Sequence, residues 1–368
     1  MRKGTWLWRA VQRVRNWQYR RAWAARAPAG ARPAPPLSIV PRDAAPEPKT
    51  VVCLPIIEWD FRFQRPQQLM LQFAKHGWRV FYASTAARKT TEKAPNVLEM
   101  PLHAVPRAEL VVVQHPRWAS IARELAGCVV YDCMDDISAF TTESRNDAER
   151  LLMADADLVV VTSSRLEQAA RRYANRVVLV RNGCDYEHFV KTPRANGARK
   201  VAGYYGAISD WFDVELVAQL ARRRPDWDFL LVGSTYGADV LPFGDLPNVE
   251  LAGEQPYADL PRWLARMDVC IIPFKRGPLT EATNPVKVYE MLAAGRPVVS
   301  VPIPEVAALA PLVRLASDAG EFEREIVAAF SDDAAEERQA FARSQTWEKR
   351  FEELRTAMAS ALHILLPS

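Results

Sequence analysis

The chain has 368 residues, 49% hydrophobic and 25% charged, which is enough to bury two cores of ordinary domain size. No apolar run reaches the ~18–20 residues that span a bilayer, and no apolar segment of a secretory signal follows the basic start. The net charge of +4 hides an asymmetry: residues 1–32 hold nine of the 48 Lys and Arg and no acid, so the remainder carries −5.

The first stretch, MRKGTWLWRAVQRVRNWQYRRAWAARA, interleaves Arg with Trp6, Trp8, Trp17 and Trp23. Wound as a helix it lines up Trp6, Ala10, Val14 and Trp17 in a narrow apolar stripe surrounded by Arg. Trp and Arg suit the headgroup layer of an anionic membrane. A leader or an arm docking on the body is the competing reading, and no nucleic-acid partner is expected. Residues 28–48 are rich in Pro and Ala and read as an extended linker.

From Val51 onward, short apolar runs alternate with helical patterns. They are VVCLPII (51–57), RVFYAS (79–84), LVVVQHP (110–116), CVVYDCM (128–134), DLVVVTS (157–163) and VVLVRNG (177–183). The pattern restarts with VAGYYGA (201–207), WDFLLVG (227–233), VELAG (249–253), VCIIPF (269–274) and PVVSVP (297–302). Continuous apolar strands separated by helices predict parallel sheets buried on both faces. The expectation is α/β: two doubly wound, Rossmann-like units, 49–190 and 191–343, with a ligand cleft at the carboxyl ends of their strands. Residues 344–368 read as a C-terminal amphipathic helix, with Trp347, Phe351, Leu354, Met358 and Leu362 on one face, and packing back on the N-terminal unit is the expectation for it. The five cysteines show no CxxC spacing and an odd count, so buried thiols in a cytoplasmic protein are expected.

The segment TNPVKVYEMLAAGRPVVS (283–300) carries the most chemistry. Asn284 is a good N-cap and Pro285 suits the first helical position. A helix starting there aims its amides and the positive end of its dipole at an anion, a ready diphosphate site. Lys287 adds a point charge, and Glu290, one turn on, is placed to accept two hydrogen bonds from a ribose diol. The plain alternative is an ordinary capped helix with a surface Glu. Asp132, Asp135 and Asp136 follow a strand directly. Three readings stay open for them: orienting a sugar or taking an acceptor proton, capping a helix, or binding a metal. His115 ends a strand and His76 lies at a helix turn, and both read as structural. Trp211, Phe212 and Asp213 belong to a strand-end loop where lining and packing are equally open, and Ser234 to Tyr236 follow Gly233 where a nucleobase could rest. GxSxG, a Walker A sequence and GxGxxG after either first strand are all absent, so hydrolase, NTPase and dehydrogenase readings lack their signatures.

NPVKVYEMLAAGRPVVS resembles the donor-site helix of group 1 glycosyltransferases of GT-B fold. LMADADLVVVTSSRLEQ, VVLVRNGCDYEHF (177–189) and VAGYYGAISDWFDVELV (201–217) resemble further segments of that family in the same order. IIEWDFRFQRPQQLM (56–70) and YDCMDDISAF (131–140) resemble its teichuronic-acid-type branch. The chain departs from the family pattern in places. Ala282 stands where many members have a Glu, with Glu281 one residue early. Ala207 and Trp211 stand near a usual Arg and Lys, and Trp59 to Arg62 replace a Gly-rich loop.

The resemblance implies a GT-B enzyme with two facing Rossmann-like domains, moving a sugar from a nucleotide-sugar to a cell-surface polysaccharide or glycolipid precursor. It implies a retaining, metal-independent reaction in which the nucleotide-sugar is a co-substrate and no cofactor is needed. Glu290, Asn284, Pro285, Lys287, Gly206 and Ser234 would bind the donor. Asp135, Asp136 and Arg62 would serve the acceptor sugar, and Lys287, with Arg62 or Arg65, the leaving diphosphate. Cytoplasmic localisation is expected, with peripheral attachment at the inner face of the plasma membrane through residues 1–32. The rival readings are a GT-B nucleotide-sugar epimerase, which would turn over donor without acceptor, and a non-catalytic sugar-nucleotide scaffold, which would bind donor without transfer.

Overall fold

The computed structural model describes residues 49–136, 143–193 and 197–362. The basic tail and linker, and the start of any helix capped by Asp136, lie outside the described residues. The chain forms two compact units. Among the described residues, the first comprises 49–183, Ala282–Asn284 and the segment from Trp347 on. The second comprises Cys184–Glu281 and Pro285–Thr346.

The first unit holds strands β1 (Thr50–Leu54), β2 (Arg79–Ser84), β3 (Thr91–Ala94), β4 (Val97–Pro101), β5 (Ala108–Val113), β6 (Ala126–Cys133), β7 (Leu158–Val161) and β8 (Val177–Leu179). Their order is β3-β4-β2-β1-β5-β6-β7-β8. All neighbours are parallel except β3, which runs antiparallel to β4. Most central strands are apolar along their whole length because helices cover both faces: Val51 to Leu54 are fully buried, as are Val111, Val113, Val159 and Val161. β1 stops at Leu54 because Pro55 has no N–H to continue the ladder. The β3–β4 hairpin lies outside the sequence expectation. TEKA is polar because it is an exposed edge, where Glu and Lys discourage pairing with another chain, and Asn96 supplies the left-handed turn at φ 64°.

Two helices complete the parts of this unit that matter below. Helix α1 (Arg65–Lys75) follows the loop after β1. The C-terminal helix, Trp347–Leu362, presents Trp347, Phe351, Leu354 and Met358 as a buried face. Phe351 meets Phe73 of α1 edge-on at 4.9 Å, and His76 at 4.6 Å. His76 also approaches Glu352 at 3.3 Å, which gives it a packing role.

The second unit holds β9 (Lys200–Tyr205), β10 (Trp227–Val232), β11 (Val249–Gly253), β12 (Val269–Ile272), β13 (Val298–Ser300) and β14 (Val313–Leu315). The order β11-β10-β9-β12-β13-β14 is parallel throughout. The chain winds outward from β9 in one direction and from β12 in the other, so the switch point lies between their carboxyl ends, where open α/β sheets bind ligands. β14, only three residues long, is too short to leave a readable apolar run.

Four of the five cysteines are buried and Cys128 is half-buried, and all are free thiols. Among the described residues, no helix is long and apolar enough to cross a membrane.

Candidate donor site

The site gathers at the carboxyl ends of β9 and β10. Gly206 follows β9 at φ 127° and Gly233 follows β10 at φ 156°. The two backbones close on each other: a Cβ on Gly233 would stand 1.8 Å from the Gly206 carbonyl oxygen. Only glycine permits that approach. Backbone bonds from Gly206 N–H to Val232 O (2.9 Å) and from Ile208 N–H to Ser234 O (2.8 Å) hold the two loops side by side.

Helix α2 (Val286–Ala293) points its first turn at this edge. Lys287 is half-buried, its ammonium 5.5 Å from the centre of the Tyr204 ring and 5.2 Å from that of Phe274. The two aromatic faces hold the cation over the switch point. The chain beneath it is bare because position 206 has no side chain: a Cβ there would meet Lys287 Cε at 2.7 Å and Nζ at 3.2 Å. A lysine, a helix N-terminus and a side-chain-free backbone thus converge on one spot, a combination suited to phosphate oxygens. Ser234 lines the next loop, nearly buried at 8% exposure.

One turn on, Glu290 is 4% exposed. The Tyr205 hydroxyl donates to its Oε2 at 2.6 Å, and the Tyr257 hydroxyl forms a second hydrogen bond. Burial dominates and raises the carboxyl from 4.5 to about 7, against the opposing pull of Tyr205, Lys287 and Tyr257. Tyr257 stacks on His188 at 4.9 Å, and the His188 ring nitrogen Nε2 lies 3.1 Å from the Tyr257 carbonyl.

Asn284 and Pro285 depart from expectation. The helix begins at Val286 with Pro285 as its N-cap, and no side chain caps it. The Asn284 side chain is engaged elsewhere. Its Oδ1 accepts from Asn182 N–H at 2.8 Å, and its carbonyl accepts from Asn182 Nδ2 at 2.6 Å. This reciprocal pair is buried in the first unit, with Ser163 Oγ donating to the Ala282 carbonyl beside it.

The acceptor-side candidates lie in the first unit. Arg62 sits in the β1–α1 loop at φ 50°, an uncommon backbone for a non-glycine, its guanidinium 4.8 Å from the centre of the Phe61 ring. Arg65 is not placed for an anion. It is 2% exposed, clasps Asp132 through Nε and Nη2 (2.8 Å), and donates to Val180 O, Arg181 O and Asn182 Oδ1. Asp132 is likewise internal, with Gln114 Nε2 donating to its Oδ2 at 3.0 Å. Asp135 and Asp136, beyond the end of β6, are half-buried. Near Asp136 lies Glu149, which no sequence pattern singles out and which accepts from Tyr131 OH at 2.6 Å. Burial raises the Glu149 carboxyl and the Asp136 charge adds to the rise. Among the described residues no cluster of His, Cys, Asp or Glu is arranged to hold a metal.

Three other candidates have structural roles. His115 caps the short turn Pro116–Trp118, its Nδ1 accepting from Arg117 N–H at 3.0 Å. Asp213 caps the helix Val214–Arg223, accepting from Leu216 N–H at 3.0 Å. Phe212 is fully buried.

Residues 201–332, which contain Gly206, Ser234, Lys287 and Glu290, match the family model described as glycosyl transferases group 1. This segment is a group 1 glycosyltransferase domain. The chain is also 29% identical over 201 residues to the protein named as the teichuronic acid biosynthesis glycosyltransferase TuaH of Bacillus subtilis. That stretch covers 48% of this chain and about half of TuaH (51%). Among solved structures, sucrose-phosphate synthase from Thermosynechococcus elongatus is similar at a TM-score of 0.70 and 16% identity, over 86% of this chain and 99% of that one. Anabaena Alr3699/HepE, solved with UDP-glucose, is similar at 0.65 and 15% identity, over 84% and 99%. At these identities the likeness shows the fold, which is GT-B. Of the residues proposed for the donor, Gly206, Ser234, Pro285, Lys287 and Glu290 lie in the second unit, while Asn284, though within the matched stretch, belongs to the first unit with Asp135, Asp136 and Arg62.

Proposed function

We propose that the chain is a nucleotide-sugar-dependent glycosyltransferase that builds a cell-surface polysaccharide or glycolipid precursor. The observation that carries this reading is the Lys287 ammonium held over the side-chain-free backbone at Gly206, at the switch point of a group 1 glycosyltransferase domain. The name of TuaH supports a cell-envelope glycan as product, and the UDP-glucose bound to HepE supports a sugar nucleotide as donor.

In this reading the diphosphate lies against the first turn of α2, Glu290 takes the ribose diol and Ser234 the base side. The bond from the anomeric carbon to the phosphate oxygen breaks, and charge develops on the departing diphosphate. Lys287 and the helix N-terminus are already aimed at that charge, so they stabilise it without reorganising. The chain's own cations supply this charge, which is the basis for proposing a metal-independent reaction, and retention of configuration follows the family resemblance. Asp135, Asp136 and Arg62 are assigned to the acceptor, whose hydroxyl passes its proton to the carboxylate of Asp135 or Asp136 as the new glycosidic bond forms. Residues 1–32 are assigned to an anionic membrane surface, where a lipid-linked acceptor would reside.

The test is a thermal-shift screen of nucleoside diphosphates and their sugars, followed by transfer assays with lipid-linked glycan acceptors. A stabilising nucleotide and sugar transfer are expected. A chain that no nucleotide stabilises would lose the assignment.

A further inference from the structure

Glu290 is enclosed to an extent that its sequence position does not suggest. The hydroxyl of Tyr205 at the end of β9 and that of Tyr257 in the segment after β11 both hydrogen-bond to its carboxyl group. The charged and titratable groups around it are Lys287 on its own helix, Asp185 before the short helix Tyr186–Phe189, His188 on that helix, which stacks on Tyr257, and the two phenols. Cys270 lies near Tyr205 and Cys184 near Tyr257. Burial pushes both phenols and the Cys270 thiol far from ionising. Burial brings the Glu290 carboxyl of this cluster into the range between pH 6 and 8.

A carboxylate offers about four lone-pair positions and no donor, while the protonated acid presents a donor of its own. With two positions taken by Tyr205 and Tyr257, the ionised group has two left, matching the two O–H donors of a ribose diol. The protonated form cannot accept both. We infer that Tyr205 and Tyr257 are positioning residues that hold Glu290 for the ribose and favour its ionised, diol-accepting form, and that donor binding at this buried carboxyl releases a proton. This rests on the donor-site reading above, and extends it from which residue meets the ribose to what controls that contact. Burial supports it, since it raises the carboxyl from 4.5 to about 7.

The experiment is calorimetric titration of the full chain with UDP, GDP, ADP and CDP to find a ligand. The ligand and its 2′-deoxy counterpart are then titrated from pH 6 to pH 8. The 2′-deoxy compound has the same ionising diphosphate, so the ratio of the two affinities isolates the ribose contact. In the wild type this ratio should rise about tenfold as pH passes upward through 7, and the ribonucleotide should displace a proton that the deoxy compound does not. Tyr205→Phe, which removes a bond favouring the ionised form, should move the midpoint of the ratio to higher pH, whereas loss of packing alone would weaken both ligands equally at every pH. Should Tyr205→Phe not fold, Tyr257→Phe at a half-buried position carries the same test. A pH-independent ratio in the wild type overturns the inference and leaves the donor site standing. Absence of binding by every nucleotide overturns both.

Discussion

The Lys287 ammonium and the Gly206 backbone occupy one niche: a single methyl group at 206 would fall 3.2 Å from the nitrogen and 2.7 Å from the neighbouring carbon. The niche depends on an absent side chain, so it is sensitive to the smallest possible addition. Gly206→Ala would displace the lysine and place a Cβ on a backbone at φ 127°, a strain of order 1–3 kcal/mol. Nucleoside diphosphate affinity should fall at least tenfold, measured by calorimetry, with a modest loss of melting temperature.

Glu290 sets a pH dependence of stability whose sign is fixed by its raised carboxyl. Between about 4.5 and about 7 the folded state keeps a proton that the unfolded state has lost. Stability from this group is therefore full at low pH, declines across that window and is flat above it. Glu290→Gln removes the titration. Relative to wild type the variant should gain up to ~3 kcal/mol between pH 4.5 and pH 8, since a tenfold change in proton affinity is worth ~1.4 kcal/mol. Denaturant melts at both pH values measure this, and a pH-independent difference would refute it.

Arg65 and Asp132 form the buried polar hub of the first unit, both 2% exposed. Removing one partner strands a charge, so Arg65→Met and Asp132→Asn should each cost ~3–5 kcal/mol by urea unfolding. The double variant should lose less than the sum of the two. This separates the pair from the anion site: Arg65 acts on stability, while Lys287 acts on diphosphate affinity.

The basic tail makes its own prediction. Deleting residues 1–32, which carry nine positive charges, should abolish co-sedimentation with vesicles containing anionic lipid at low salt. The melting temperature of the rest should not change. Equal sedimentation of the shortened chain would remove the membrane assignment.

The two sheets are legible in the sequence because burial on both faces turns a strand into an unbroken apolar run, as in LVVV at 158–161. The β3 edge is hidden for the opposite physical reason: TEKA faces solvent and carries charge to stay unpaired. At the site, Lys287 and Glu290 are readable from helix spacing. Asn284 reads as a cap because Asn-Pro is a strong local signal. Its bonding partner, Asn182, is 102 positions away and leaves no trace in local pattern. Tyr205 and Tyr257 are invisible on the same ground, since they meet Glu290 only through the fold. The Tyr-Gly step at 205–206 is the one hint that a strand end there faces a ligand.

The central claim is that Lys287 holds the diphosphate of the donor. Calorimetric titration of wild type and Lys287→Met with the best-binding nucleoside diphosphate, and with the matching nucleoside lacking phosphates, tests it most directly. The account predicts that diphosphate affinity falls at least tenfold while the weaker nucleoside binding is unaltered. Equal diphosphate affinity in the two proteins would contradict it.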